Sequence, residues 1–442
     1  MLPRMLLREL LLEHFGTLSL EDLVVERQEF PLWMRVDVQG ELERFFAGLG
    51  HFRFSGARLR GSVEFRFPNL VEEGEDAPAT GPAVWSVLDR GDAEPARCLL
   101  RGLWLAKVGN VLFGVALEFD EEGGYSGSLR VEVATPPDAE AEHFAVDLQK
   151  RLRAAGEAAR SLRGKVLAPV SARNARYSES ASDFGVLAVA PVTRGDMVLA
   201  PGVLELIERN TTGFAAHATA LAKLGMSAKK GILLYGPPGT GKTLVVRYLL
   251  GALAGYTKFV LGAHQMGYLG EAVDAARFVQ PAMVVIEDVD LIAADRDGPW
   301  QTSPALLNRL LNEMDGLGPH AQVLFVLTTN RGEVLEPALA GRPGRVDQAV
   351  EIGLPEDRER RLLLARYSGG LGLSDDALGA ISRRTGKVSP AFIKELCRRA
   401  AQEMLERKEK VLEERDFERG LDDLRMRPKG SSSGGEQAGF VS

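Results

Sequence analysis

One short stretch combines glycines, a lysine and a threonine at a spacing that can hold a chain of phosphates. It lies between an apolar run at 231–235 and a helix-forming run at 244–250, and it consists of Gly236, Pro237, Pro238, Gly239, Thr240, Gly241, Lys242 and Thr243. The glycines let backbone N–H groups turn inward around an anion, and the helix start adds partial positive charge. Lys242 would reach the β and γ phosphates, and the Thr243 hydroxyl would bind Mg²⁺. A chance glycine turn is the alternative, and the complete pattern after a strand argues against it.

Two adjacent carboxylates, Glu287 and Asp288, follow a second apolar run at 283–286. Hydrolysis of a nucleoside triphosphate needs a metal anchor and a water-activating group beside the phosphates. Glu287 would hold Mg²⁺ through its water shell, and Asp288 would orient the attacking water. A solvated acidic turn is the alternative interpretation, and the phosphate loop upstream favours the catalytic one.

These groups must be positioned by a sheet with buried faces. The runs 258–261, 283–286 and 323–327 are short, apolar and unalternating, which is typical of parallel strands covered on both sides. Helical stretches separate them, so the fold class is α/β, a doubly wound parallel sheet. Beyond Pro355 the pattern turns helical and predicts a small lid, with Ser389 as an N-cap and Pro390 at the first helical position.

The rest of the chain divides by composition. Residues 1–165 predict an α+β domain with strands near 98–105, 111–119 and 128–134, and they contain no catalytic motif. The predicted order of segments is an N-terminal domain 1–165, a linker 166–199, a large nucleotide-binding subdomain 200–355, a helical lid 356–428 and a flexible tail 429–442.

Composition excludes several classes of function. The net charge of -7 argues against a protein that binds nucleic acid through a large basic face. Two cysteines without metal-ligand spacing indicate a reducing compartment, and we expect a cytoplasmic protein. No apolar run approaches the roughly 18 residues that span a bilayer, and the apolar N-terminus, interrupted by charges, predicts a surface helix rather than a signal peptide.

The order of these motifs resembles the AAA group of AAA+ ATPases across about residues 200–425. The run 328–331 is similar to the end of that family's sensor-one strand, which implies that Asn330 contacts water and the γ-phosphate. The run 335–345 resembles the family's second region of homology, and its Arg342 and Arg345 match the arginine fingers that reach a neighbouring subunit's nucleotide. Surface ion pairing is the alternative for the two arginines.

Residues 310–317 resemble the family's inter-subunit signalling segment. Tyr268, Leu269 and Gly270 lie where the family has its first central-pore loop, and they have its aromatic–aliphatic–glycine pattern. The resemblance implies that the Tyr268 ring grips an extended polypeptide. The alternative is a tyrosine packed on its own domain.

The chain departs from the family pattern in three places. The order Glu287-Asp288 inverts the usual Asp-Glu and resembles that of the mitochondrial Rieske-protein translocase, so turnover could be slower. One extra residue precedes Arg342, and the segment 270–281 is about seven residues shorter than usual, close to two helical turns. No His-Glu-x-x-His motif is present, which argues against a built-in zinc protease.

The resemblance implies ATP and Mg²⁺ as cofactors and a homo-hexameric ring. It further implies a protein unfoldase or translocase that threads polypeptide through a central pore, with the N-terminal domain choosing a client or adaptor. We expect no membrane partner, and the net charge argues against nucleic acid as a partner. The alternatives are a nucleic-acid-remodelling ATPase and a scaffold whose assembly is gated by nucleotide.

Overall fold

The computed structural model describes residues 5–59, 64–74, 76–120, 127–169, 183–290, 304–318, 320–331 and 346–425. The chain forms two compact units. Unit 1 comprises Met1–Leu187 and Gly267–Val279, and unit 2 comprises Ala188–Met266 and Gln280–Ser442.

The described residues form strands and helices throughout both units. The strands are β1 Val24–Pro31, β2 Phe52–Arg58, β3 Ala79–Gly81, β4 Val84–Leu88, β5 Ala96–Val108, β6 Val111–Asp120, β7 Ser128–Thr135, β8 Val166–Pro169, β9 Phe184–Val186, β10 Lys230–Tyr235, β11 Thr257–Gly262, β12 Ala282–Glu287, β13 Val323–Thr329 and β14 Gln348–Glu351. The helices are α1 Leu7–Phe15, α2 Arg35–Leu49, α3 Phe67–Leu70, α4 Ala139–Ala158, α5 Val203–Asn210, α6 Thr212–Lys223, α7 Lys242–Ala252, α8 Leu269–Phe278, α9 Pro304–Asp315, α10 Asp357–Tyr367, α11 Asp375–Arg384, α12 Pro390–Glu406 and α13 Glu414–Arg425.

Unit 1 is built on an antiparallel sheet in the order β1-β7-β6-β5-β2-β3, with β4 also paired to β5. Neighbouring side chains on a strand face opposite sides, so the sheet has two apolar faces. Leu103 and Leu105 of β5 pack in a cluster with α1, whereas the intervening Trp104 stacks on Phe46 of α2. The predicted α+β character and the three predicted strands of this region are confirmed.

The interval 166–199, predicted as a linker, is ordered in its described parts. Strands β8 and β9 pair antiparallel, with Leu167 opposite Val186. The fully buried Arg90 donates to Asp183 at 2.7 Å and also to the carbonyl of Phe184, which anchors β9 within unit 1. The linker was predicted because the run 171–183 is polar and contains few large apolar residues. The paired strands β8 and β9 lie before and after this run.

The segment Gly267–Val279 belongs to unit 1, although the sequence placed it inside the nucleotide-binding subdomain. At the end of α8, the Phe278 ring lies 5.4 Å from that of Trp33, and Arg163 Nη2 donates to the Phe278 carbonyl at 2.7 Å. Both partners are far away in sequence, so no local pattern could have predicted these contacts.

Unit 2 contains five parallel strands in the order β14-β10-β13-β12-β11. The side chains of β12 and β13 are almost all buried, as expected for strands covered on both faces. The predicted α/β fold with a parallel sheet is therefore confirmed.

Helices α10 to α13 pack around a shared apolar core that includes Leu364, Ile393, Leu396 and Phe417. The predicted cap of the third of these helices is confirmed, because Ser389 Oγ accepts a hydrogen bond from Phe392 N at 3.3 Å and Pro390 follows it. The predicted tail 429–442 lies outside the described residues.

Among the described residues, no helix combines the length and the apolar character needed to cross a bilayer. Cys98 and Cys397 are both free thiols and both buried.

Candidate nucleotide site

Three neighbouring strands of unit 2 end at the same edge of the sheet. β13 lies between β10 and β12, with Tyr235 opposite Thr329 and Ile286 opposite Leu327. The segments that follow β10, β12 and β13 carry the phosphate loop, the acidic pair and Asn330. Parallel strands place ligand-binding groups at their carboxyl ends, and here the register brings the three predicted motifs together.

The phosphate loop depends on glycine for two different reasons. Gly236, Gly239 and Gly241 all have positive φ angles, of 147°, 77° and 109°. A side-chain Cβ at Gly236 would also lie 2.2 Å from the backbone oxygen of Ile352, and one at Gly239 would lie 2.9 Å from the Ala391 Cβ. The loop therefore needs residues without a side chain both for its turn and for its close packing.

Lys242, the first residue of α7, is only 6% exposed. Its Nζ donates to the carbonyl oxygens of Gly236 and Pro237, at 2.7 and 3.0 Å, and to Asn330 Oδ1 at 2.8 Å. Burial lowers the pKa of Lys242, and the charges of Asp288 and Asp290 oppose that shift. The ammonium group is thus held at the point where the strand ends meet.

Asp288 faces the same space as Lys242. It has a left-handed backbone with φ of 54°, and its N–H donates to Thr328 Oγ1 at 2.9 Å. Burial raises the pKa of Asp288, as does the charge of Asp290, whereas Lys242 and a hydrogen bond from Asn330 lower it. A strained, partly buried carboxylate at this edge can position a water molecule.

The donor set fits a magnesium ion. Glu287 Oε1 is buried and has no hydrogen-bond partner among the described residues, so its capacity to accept is unused. Thr243 is exposed and lines the cavity, so its hydroxyl is accessible there. Oxygen ligands of this kind are those that Mg²⁺ prefers, so Thr243 and Glu287 would hold it.

Asp290 was not among the predicted site residues, yet it hydrogen-bonds to Asn330. Asp290 Oδ1 accepts hydrogen bonds from Thr329 Oγ1 and Asn330 N, both at 3.0 Å, and Oδ2 accepts from Asn330 Nδ2 at 3.3 Å. A third carboxylate two residues after the acidic pair was a visible signal, but its partners come from β13 and could not be read from the local pattern.

A cavity of about 490 Å³ in unit 2 collects most of these groups. Residues 238–244 of the phosphate loop and α7 line it together with Asp288 and Asn330, while Gly236, Pro237 and Glu287 do not. The rest of its wall comes from two places that sequence reasoning left without a role, the segment Asp196 to Leu199 and the lid residues Leu363, Tyr367, Pro390, Ala391 and Lys394.

The far wall of the cavity is largely apolar, with Met197, Val198 and Leu199 facing the same space as Leu363 and Tyr367. Such a wall can cover the flat face of a nucleobase. Arg366 forms an ion pair with Asp196 and donates to Gly195 O at 2.8 Å, which fastens the lid to this segment. No local sequence signal marked the segment, because its role depends on the lid.

The predicted pore-loop residues lie at the start of a helix. Tyr268 is the last residue of a 3-10 turn, and Leu269 begins α8. Leu269 is 0% exposed and Tyr268 is partly buried. The helical stripe formed by Leu269, Ala272, Val273 and Ala276 explains the burial of Leu269. Arg342 and Arg345, the predicted arginine fingers, lie outside the described residues.

Comparison with known proteins identifies the domain that carries the phosphate loop. Residues 232–354 match the model of the ATPase family associated with various cellular activities (AAA). The chain contains an AAA ATPase domain. The resemblance inferred from the motifs is therefore confirmed, and ATP with Mg²⁺ is the cofactor pair of such a domain.

Three curated relatives extend the comparison. A 26S proteasome regulatory subunit 6B homolog from Dictyostelium discoideum is 32% identical over 256 residues, and one from Encephalitozoon cuniculi is 34% identical over 213. The ATP-dependent zinc metalloprotease FtsH 4 of Sphaerobacter thermophilus is 34% identical over 215 residues. The matches cover 55%, 44% and 46% of this chain, and 60%, 54% and 32% of the three relatives.

Proposed function

We propose that this protein is a ring-forming ATPase that unfolds or translocates protein. The observation that carries the proposal is the convergence of Lys242, Asp288 and Asn330 on one cavity at the carboxyl edge of a parallel sheet. The AAA domain and relatives named as proteasome regulatory subunits and as an ATP-dependent metalloprotease support a role in handling polypeptides.

Different described residues have different roles in the proposed hydrolysis. Residues 238–243 and the start of α7 present backbone N–H groups and Lys242 to the phosphates, while Thr243 and Glu287 would hold Mg²⁺. A bound Mg²⁺ would supply positive charge beside the phosphate groups. Asp288 orients the attacking water, and Asn330 contacts the γ-phosphate and that water.

The proposal includes an assembled ring, a homo-hexamer by family resemblance. In it Arg342 and Arg345 of one subunit reach the nucleotide of the next and stabilise the charge that develops there. Tyr268 contacts the translocated polypeptide, with Leu269 and Gly270 supporting it, and the N-terminal domain selects a client or adaptor.

The test compares ATP turnover in three proteins, the wild type, Asp288→Asn and Tyr268→Ala, each with and without an unfolded protein or DNA. We expect unfolded protein to stimulate the wild type. Asp288→Asn should bind ATP and lose turnover by about a hundredfold or more, the scale of a lost general base. Tyr268→Ala should hydrolyse ATP and lose unfolding.

Each competing function has its own signature in this experiment. Stimulation by DNA with a steep dependence on salt would indicate a nucleic-acid remodeller. ATP-dependent assembly with negligible turnover in the wild type would indicate a scaffold. Normal unfolding by Tyr268→Ala would show that this residue does not grip the client.

A further inference from the structure

Asn330 lies at the centre of a small polar network that joins the ends of three strands. Its Oδ1 accepts from Lys242 Nζ at 2.8 Å, and its Nδ2 donates to Asp290 Oδ2 at 3.3 Å. An ammonium group only donates and a carboxylate only accepts, so these neighbours allow one orientation of the amide.

Asp290 is well placed to enforce that orientation. It is 6% exposed, and each of its oxygens receives a donor, Oδ1 from Thr329 Oγ1 and Asn330 N, and Oδ2 from Asn330 Nδ2. A neutral amide in its place would turn an NH₂ group against a donor in either orientation. The carboxylate is therefore the group whose acceptor pattern matches this pocket.

We infer that Asp290 is a positioning residue, whose carboxylate accepts from the side-chain nitrogen of Asn330 and so keeps the amide oxygen toward Lys242. This inference rests on the proposed hydrolysis of ATP. Asp290 is absent from the cavity wall, so it acts through Asn330 and not by touching the nucleotide. Its contribution is to have the amide oriented before the phosphates react.

The test is a double-mutant cycle of Asp290→Asn and Asn330→Ala, with kcat and the Kd for ATP measured for each protein. Asp290→Asn should lower kcat by about tenfold or more, because small errors of placement at a reacting centre are costly, and should leave Kd within about threefold. When Asp290→Asn is added to Asn330→Ala, kcat should change by less than about threefold.

Asp416→Asn is the matched control. Asp416 is 2% exposed and also accepts three hydrogen bonds, from Arg407 Nε, Arg407 Nη2 and Glu413 N, but it lies in the lid core away from the cavity. Asp416→Asn should lower the unfolding temperature and leave kcat within about threefold of the wild-type value. This control separates a loss of stability from a loss of amide orientation.

Two results would overturn the inference. One is a kcat for Asp290→Asn within threefold of wild type. The other is an equal loss on making that change in the Asn330→Ala background, which would mean that Asp290 acts independently of Asn330.

If the wild type hydrolyses no ATP, the proposed function fails and a structural readout decides the inference. In a crystal structure of Asp290→Asn, the distance between Lys242 Nζ and the Asn330 side chain, 2.8 Å here, should exceed about 3.5 Å. An unchanged contact would contradict the inference.

Discussion

Single residues of the phosphate loop are constrained by backbone conformation and by space at once. Gly236 has a φ of 147°, and a Cβ there would collide with the backbone oxygen of Ile352. The sequence predicted the need for glycine from the turn alone. The contact with Ile352, 116 positions along the chain and adjacent to β14, is a consequence of the tertiary structure.

Gly236→Ala should therefore abolish ATP binding and destabilise the fold by roughly 2 kcal/mol or more, because backbone atoms must move. Gly255→Ala is the control, since Gly255 has a positive φ of 82° but nothing within 4 Å of the added Cβ. It should cost only about 1 kcal/mol, the penalty of the left-handed conformation, and leave binding unchanged. Isothermal titration with ATP and chemical denaturation measure both effects, and equal losses in the two variants would refute the steric argument.

At the scale of elements, the start of α12 is packed directly on the phosphate loop. Ala391 N donates to Gly239 O at 3.1 Å, and Ser389 Oγ would lie 3.0 Å from a Cβ at Gly239. The sequence predicted this helix and its cap from the Ser389-Pro390 pair. It could not predict which surface the cap would touch, because that depends on how the lid folds back.

Ser389→Ala should lower the free energy of unfolding by about 1 kcal/mol and raise the KM for ATP several-fold. Ser374→Ala is matched to it, because Ser374 Oγ caps α11 by accepting from Ala377 N at the same 3.3 Å but is not among the atoms packed against Gly239 of the phosphate loop. The control should lose similar stability with KM unchanged. A rise in KM for both variants would mean that general loosening of the lid is the cause.

The lid core provides a second measurable property. Cys397 is 2% exposed, and burial raises its pKa to about 12, so almost none of it is thiolate at pH 8. Burial likewise raises the pKa of Cys98. We expect both thiols of the native protein to react with a thiol reagent at pH 8 at least about a hundredfold more slowly than in urea.

Because thiolate is the reactive form, the labelling rate of Cys397 in the native protein should keep rising with pH beyond 9, where an ordinary thiol is already levelling off. Labelling of the Cys397→Ser variant, which keeps only Cys98, distinguishes the labelling of Cys98 from that of Cys397. Rapid labelling of the native protein at pH 8 would show that the lid core opens frequently.

At the scale of the whole molecule, the proposed ring makes each site depend on two subunits. An Arg342→Ala/Arg345→Ala subunit keeps its own nucleotide site, and an Asp288→Asn subunit keeps its fingers. If fingers act in trans, mixing these two inactive proteins should restore up to about a quarter of wild-type turnover, the fraction of complete interfaces in a random ring.

The control mixture combines Asp288→Asn with Lys242→Ala. Both changes damage the nucleotide site itself, so no interface is complete and no turnover should return. A tag on one variant can show by co-purification that mixed rings form. If such rings form but the first mixture restores no turnover at any ratio, the arginine fingers do not act in trans.

The sequence by itself determined the phosphate loop, the acidic pair, the parallel strands that carry them and the family resemblance. These are recognisable because phosphate binding uses consecutive backbone groups, and buried strands and capped helices have local patterns. The family resemblance placed Tyr268 in a pore loop, which stays a prediction; in the structure Tyr268 directly precedes α8 and the buried Leu269.

Only the tertiary structure decided that Asp290 holds Asn330 against Lys242, that the segment Asp196 to Leu199 closes the nucleotide cavity with the lid, and that Gly267–Val279 belongs to unit 1. Each of these depends on strand register or on packing between residues far apart in the chain. A contact of that kind leaves no pattern in the neighbouring sequence, because its energy comes from a partner that folding alone brings near.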